Sequence, residues 1–193
     1  MKLSVIAVDY EHHVIRDRMR EGLTSLVDQT FKDFELLVVH DGEKETPYEE
    51  EFDFSQFKHP VKFLNTPERM SNWGHSSRDL GMRNASGRYY LQFNIDNLLY
   101  ENALSEIVSA MERYGDPEII IFEILHREFP GRVFEGFPMV NYIDCLQLVA
   151  KAKVWEKNGY WHDKSYGGDG YMYQAMCKSH DYVHLNRLLG ENR

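Results

Sequence analysis

The chain has 193 residues, 42% hydrophobic and 27% charged, with a formal net charge of -9. That length suits one domain with a sizeable core, and the composition is too apolar for a disordered chain. An acidic surface repels phosphate backbones, which argues against a nucleic-acid binder but leaves room for an anionic small ligand met by local cations or a metal.

Leu3 to Val8 reads as a buried strand, short and almost continuously apolar. Asp9 cuts it off before it reaches the length of a signal-peptide core. Ile15, Met19, Leu23 and Leu26 then recur at helical spacing. Phe34 to Val39 is a second buried strand, ending at His40-Asp41-Gly42, so the opening is a βαβ unit and predicts a parallel sheet. Glu43 to Lys58 reads as an acidic loop or exposed helix, Val61 to Leu64 as a short strand, and Ser76 to Ala85 as a helix. Tyr89 to Phe93 is the next strand. Leu104, Ile107, Val108, Met111 and Tyr114 mark an amphipathic helix stopped by Gly115-Asp116-Pro117, and Glu118 to Leu125 is another strand. From His126 to Gly168 the chain is rich in aromatics, Gly and Pro, with a short helix near Val154 to Asn158. A last helix around Tyr171 to Met176 and a strand around Tyr182 to Leu185 complete the pattern. The fold class is α/β: an open, mostly parallel sheet flanked by helices, in a single domain spanning 1–193. The first half has the character of a nucleotide-binding unit and the second that of a substrate-shaping one.

Two cysteines, Cys145 and Cys177, make neither a disulfide framework nor a close metal pair, so a reducing compartment is the simpler expectation. No stretch approaches the ~20 apolar residues of a membrane helix. The expected location is cytoplasmic, with room for work at a membrane surface.

Asp9, Asp41 and Asp96 each follow a predicted strand. In open α/β sheets ligands bind beyond the carboxyl ends of the strands, so the three side chains are expected to converge on one crevice. Each has a bland alternative: a turn for Asp41-Gly42, a turn or helix cap for Asp96. The oxygen-rich run Asn94-Ile95-Asp96-Asn97 suits a hard divalent cation that also takes phosphate oxygens. Neither common glycine-rich phosphate loop is present, which argues against a P-loop kinase or a dinucleotide-binding enzyme.

The series of short motifs resembles family 2 glycosyltransferases with the GT-A fold. A strand of the type Ser-Val-Ile-Ile-Pro-x-Tyr is matched by Ser4 to Tyr10, Ser-Leu-x-x-Gln-Thr by Ser25 to Thr30, and Val-Val-Asp-Asp-Gly by Val38 to Gly42. Arg-Asn-x-Gly is matched by Arg78 to Gly81, Ala-x-Gly-x-Tyr by Ala85 to Tyr89, DxD by Asn94-Ile95-Asp96, and Gly-Glu-Asp by Gly167-Gly168-Asp169. The departures are Val8 for proline, His40 for the first Asp of its motif, Asn94 for the first DxD acid and Gly168 for Glu.

The resemblance implies a nucleotide-sugar site built from Val8, Asp9, Tyr10, Asp41, Arg78, Asn94, Ile95 and Asp96. Asp9 and Asp41 would line the base and ribose pocket, and Arg78 would lie near the diphosphate. Asp96, helped by Asn94, would hold Mn2+ or Mg2+. Asp169 would be the catalytic base, its bland alternative being an N-cap. The implied reaction moves a sugar from a nucleotide-sugar donor, expected to be UDP-linked, to a hydroxyl of a carbohydrate or lipid-linked acceptor by inverting single displacement. Residues 1–100 would form the donor half and 101–193 the acceptor half. The rivals are a non-catalytic nucleotide-sugar or carbohydrate-binding module and a sugar nucleotidyltransferase. His12, His13, His75, His162, His180 and His184 fit no standard zinc spacing, with His184 a candidate extra metal ligand. Trp155, Tyr160 and Trp161 are candidates for an aromatic acceptor platform, against a core role for Trp155.

Overall fold

The computed structural model describes residues 2–10 and 16–193; Ile15, His12 and His13 lie outside them. In chain order the elements are β1 (Leu3–Asp9), α1 (Arg16–Val27), β2 (Phe34–His40), α2 (Tyr48–Glu51), β3 (Lys62–Asn65), α3 (His75–Asn84), β4 (Tyr89–Asn94) and β5 (Leu98–Leu99). They continue with α4 (Ala103–Arg113), β6 (Ile119–His126), β7 (Val133–Phe134), β8 (Leu148–Lys151), α5 (Ala152–Lys157), α6 (Gly168–Ser179) and β9 (Tyr182–Asn192).

All the described strands join one sheet in the order β3-β2-β1-β4-β8-β6-β9-β5, with β7 on β6. β1 pairs in parallel with β2 and β4, and β2 with β3. β6 and β9 are also parallel, while β8 runs antiparallel between β4 and β6. The first four strands thus form the expected parallel unit, and β5, β7 and β8 make the remainder mixed.

The continuous apolar runs follow from burial on both faces. Along β1, Leu3, Val5 and Ala7 pack with α1 and α4 residues such as Leu23 and Leu104. Ile6 and Val8 face the other way, among Met82 of α3, Trp155 of α5 and Met172 of α6. Leu104, Ile107, Val108 and Met111 are the buried stripe of α4, whereas Tyr114 caps the helix and is exposed.

Three expectations change. The stretch 43–58 contains α2 and a 3-10 turn, Phe54–Gln56, and it is anchored by rings. Tyr48 stacks on Phe63, and Phe54 meets Phe52, Phe57 and Phe63. These aromatics outweigh the acidic composition. β8 is only four residues long, too short to stand out by periodicity. β9 runs well past Leu185, because register shifts opposite Glu123 break its alternation.

Candidate active-site cleft

The parallel strands deliver their carboxyl ends to one rim. The Asp41 amide donates to the Asp9 carbonyl (2.9 Å), and the Ile95 amide donates to the Val8 carbonyl (3.0 Å). Asp9, Asp41 and the Asn94–Asp96 turn therefore lie on neighbouring strand ends. Asp9 is buried and accepts a hydrogen bond from the Tyr48 hydroxyl (2.9 Å), with His40 Nε2 3.9 Å from the same oxygen. Burial holds its carboxyl above the usual range, against the pull of Tyr48 and His40.

Asp41 is also buried, and both of its oxygens are engaged by the loop after β3. Oδ1 accepts from the Thr66 hydroxyl (3.1 Å) and the Met70 amide (2.9 Å), and Oδ2 from the Ser71 amide (2.9 Å). This loop is tight: Ser71 and Trp73 both have positive φ, 47° and 61°. Gly74 follows at φ 76°, where a Cβ would lie 2.7 Å from the Tyr10 ring and 2.8 Å from an Arg78 nitrogen. The Asn72 side chain then closes the start of α3, accepting from the Ser76 amide (3.1 Å).

Arg78 rises from α3 into the interior and is 2% exposed. Its guanidinium donates to the Trp73 carbonyl (2.6 Å), to Asn94 Oδ1 and to Cys145 Sγ (3.4 Å). It also lies over the Tyr10 and Trp161 rings, at 5.7 and 5.2 Å. Among the described residues it has no carboxylate partner, and its Nε hydrogen has no acceptor. A buried cation with no direct ion pair is costly, and Asp169 supplies only a longer-range charge, so the site favours an anion.

Asp169 lies in the first turn of α6. The N-cap is Gly167, so the capping alternative for Asp169 does not hold. Its Oδ1 accepts from the Gly170 amide (2.7 Å). Burial, followed by the charge of Asp144, raises its pKa to about 6, while Gly170 and Arg78 pull the other way. Gly168, where the motif has Glu, has a packing reason: a Cβ there would sit 2.8 Å from the Asp163 carbonyl oxygen.

A cleft of about 360 Å³ brings these groups together. Tyr10, Arg78, Asn94 and Asp169 line it, whereas Val8, Asp9, Asp41, Ile95 and Asp96 do not. Trp73, His126, Asp144 and Tyr166 are among the lining residues that the sequence did not single out. Asp144 accepts from the Asn192 side chain (3.1 Å) and caps the turn Cys145–Gln147, with His126 Nε2 3.8 Å away. Asn192 arrives only because β9 is long. No periodic signal marks these positions, since they sit on loops and strand ends.

The sequence profile of Glycosyl transferase family 2 matches residues 4–133. The chain belongs to that family. Among its relatives, Glycosyltransferase GlyA of Streptococcus pneumoniae is 26% identical over 97% of this chain and 30% of its own length. An uncharacterized glycosyltransferase of Rickettsia bellii is 27% identical over 54% of this chain and 14% of its own. The chain therefore spans less than a third of either relative. Among solved structures, S. aureus TarS 1–349 in complex with UDP superposes with a TM-score of 0.78 at 15% identity, covering 100% of this chain and 60% of that one. Mannosyltransferase PcManGT from Pyrobaculum calidifontis, in complex with GDP-Man and Mn2+, gives 0.77 at 14% identity, covering 99% and 56%. These likenesses establish the GT-A fold.

For this family 2 chain, the oxygen donors suit a cation only in part. Among the described residues no three His, Cys, Asp or Glu side chains form a metal cage. Asn94 Oδ1, expected to help a metal, instead accepts from Arg78, so a cation there would face a positive charge. Asp96 remains, and one carboxylate plus phosphate oxygens is a sufficient donor set for Mg2+. His184 is excluded as a further ligand, its nitrogens engaged by Asn186 Oδ1 (2.9 Å) and the Glu135 carbonyl (2.5 Å). His75 is buried on Trp161, and burial together with Arg78 lowers its pKa to about 4. Trp155 and Trp161 are 0% and 1% exposed, which removes them from any acceptor platform. Tyr160 is taken by Arg83, whose guanidinium lies 4.5 Å over its ring.

Proposed function

We propose that the chain transfers a sugar from a nucleotide-sugar donor, UDP-linked, to a hydroxyl of a carbohydrate or lipid-linked acceptor, with inversion. One observation carries this reading: the buried Arg78, which lines the cleft with a free Nε hydrogen and no carboxylate. The donor diphosphate supplies the missing charge. Residues 1–100 hold the donor, with Val8, Asp9, Tyr10 and Ile95 shaping the base and ribose side. Residues 101–193 hold the acceptor.

Asn94 keeps the guanidinium aimed at the diphosphate, and Asp41 acts through the loop it fixes. Asp96 and the diphosphate oxygens would hold Mn2+ or Mg2+, which would help neutralise the leaving nucleoside diphosphate. Asp169 accepts the proton of the acceptor hydroxyl while that oxygen attacks the anomeric carbon and the bond to the diphosphate breaks. A base with a pKa of about 6 is ionised at neutral pH yet still basic enough to take a proton.

Calorimetry with UDP, with Mn2+ and with a chelator, tests the donor site. We expect binding that Mn2+ strengthens, and a loss of about 10-fold or more in Arg78→Lys, which cannot reproduce the planar fork. Equal affinity with and without Mn2+ would remove the metal from the reading. No binding of any nucleoside diphosphate would overturn the reading itself.

A further inference from the structure

Trp73 and Tyr166 stand apart from the other aromatics of the cleft. Trp73 is 46% exposed, the one exposed tryptophan of three, and Tyr166 is 70% exposed. Their ring centroids lie 5.0 Å apart at an interplanar angle of 74°, so the two rings form a corner at the cleft wall. An exposed indole gives up the stabilisation that burying it would bring, and here it is also held in a strained backbone.

The loop is fixed on three sides. Asp41 accepts from the amides of Met70 and Ser71, Arg78 donates to the Trp73 carbonyl, and the Asn72 side chain accepts from the Ser76 amide. The left-handed conformation of Trp73 is therefore imposed by neighbours on both sides of it. A site that holds a large apolar face open to solvent is arranged to receive a matching face.

We propose that Trp73 and Tyr166 form the stacking platform for the acceptor's pyranose ring. A pyranose presents polarised C–H groups on one face, and these meet the electron-rich face of an aromatic ring. Two rings near a right angle contact a sugar on a face and an edge together. Beside Phe129, Phe134 and Ile143, the cleft also carries Asn141, His126, Asp144 and Asp169, whose polar groups suit sugar hydroxyls. Tyr166 and Asp169 line the same cleft, so a ring on this corner shares that cleft with the base. The assignment to the acceptor rests on the donor reading given above, in which Arg78 addresses the diphosphate.

The arrangement gives a site-specific optical signal, because Trp155 and Trp161 are buried and iodide can reach only Trp73. The experiment saturates the protein with UDP and titrates methyl β-D-glucopyranoside, methyl β-D-galactopyranoside and methyl α-D-mannopyranoside, with glycerol as a polyol lacking a ring. At least one glycoside should protect Trp73 from iodide, and glycerol should not. By calorimetry, Trp73→Ala and Tyr166→Ala should each weaken that glycoside by about 10-fold, or ~1.4 kcal/mol, with Trp73→Phe restoring much of it. UDP affinity should stay within about twofold, since neither ring is assigned to the nucleotide. If UDP binds but no glycoside protects Trp73, the platform is overturned and the donor reading stands. If the variants weaken UDP-glucose or UDP-N-acetylglucosamine relative to UDP, the rings serve the donor sugar and the acceptor assignment falls. If UDP itself fails to bind the wild type, the donor reading fails, and the acceptor assignment with it.

Discussion

Asp41 at the strand ends and Asp169 on α6 are held in opposite ways. At the strand ends, Asp41 accepts from two amides and a hydroxyl, whereas Asp9, which accepts from Tyr48, is raised by burial as Asp169 is. On the α6 side, Asp169 is largely enclosed, and its donors are local backbone amides, that of Gly170 and its own. Asp144 adds a like charge nearby. A carboxylate that accepts from several donors of one loop holds those donors in place, which is a structural task. A carboxylate enclosed with few donors and a neighbouring acid is easily protonated, which is a chemical one. The comparison separates positions that the motifs alone treat alike.

The largest expected effect is on turnover. Asp169→Asn should lower transfer by roughly 100-fold to 10,000-fold, the usual cost of losing a general base, with UDP affinity kept. The side chain is not the N-cap of α6, and the Asn amide oxygen can still accept from the Gly170 amide. Transfer rate on a working acceptor, beside UDP affinity, checks this. Substantial retained turnover would make Asp169 no more chemical than Asp41 and break the comparison.

Asp41→Ala comes next, and its effect should fall first on stability. Removing both oxygens strands the Met70 and Ser71 amides, while the Thr66 hydroxyl keeps the Glu68 carbonyl, at a cost of about 3 kcal/mol. UDP binding should weaken as well, because the same loop carries the Trp73 carbonyl that holds Arg78. Urea unfolding and calorimetry on the same variant measure the two. A variant as stable as the wild type would show that the loop keeps its shape without Asp41.

The sequence was legible where one rule governs one element. β1 and β2 are almost continuously apolar because helices cover both faces, and that pattern needs no partner to be recognised. Arg78, Asn94 and Asp169 were found by motif, and the cleft does bring them together. The local pattern could not show that Asn94 holds Arg78, that Asp41 is spent on a loop, or that Trp73 and Tyr166 meet. Each of these joins residues far apart in the chain, as Trp73 and Tyr166 do. The 43–58 stretch was misread because its many acids hid a spaced set of rings that Phe63 completes. β8 was missed because four buried residues carry too little periodicity.

The smallest predicted effect is the pH dependence that follows from enclosing Asp169. Its folded pKa of about 6 lies above the model-compound value of 3.8, so between these the native state keeps a proton that the unfolded chain releases. The sign follows directly: stability falls as pH rises from about 4 through about 6, then levels off. At 1.36 kcal/mol per pKa unit the ceiling is roughly 3 kcal/mol, and partial solvent access trims it toward ~2 kcal/mol. Other groups titrate in the same region. His75 is lowered to about 4, and Glu35 falls to about 2 as hydrogen bonds from Lys62, Ser86 and Ser4 overcome its burial. Both are present in the wild type and in Asp169→Asn, so they cancel in the difference between the two. That difference should be near zero at pH 4 and should favour the variant by ~2 kcal/mol at pH 8, a gain in stability from a substitution that removes activity. Urea unfolding of both proteins across this range measures it. A difference that stays flat with pH would mean that burial does not raise Asp169, and the contrast between a chemical Asp169 and a structural Asp41 would lose its physical basis.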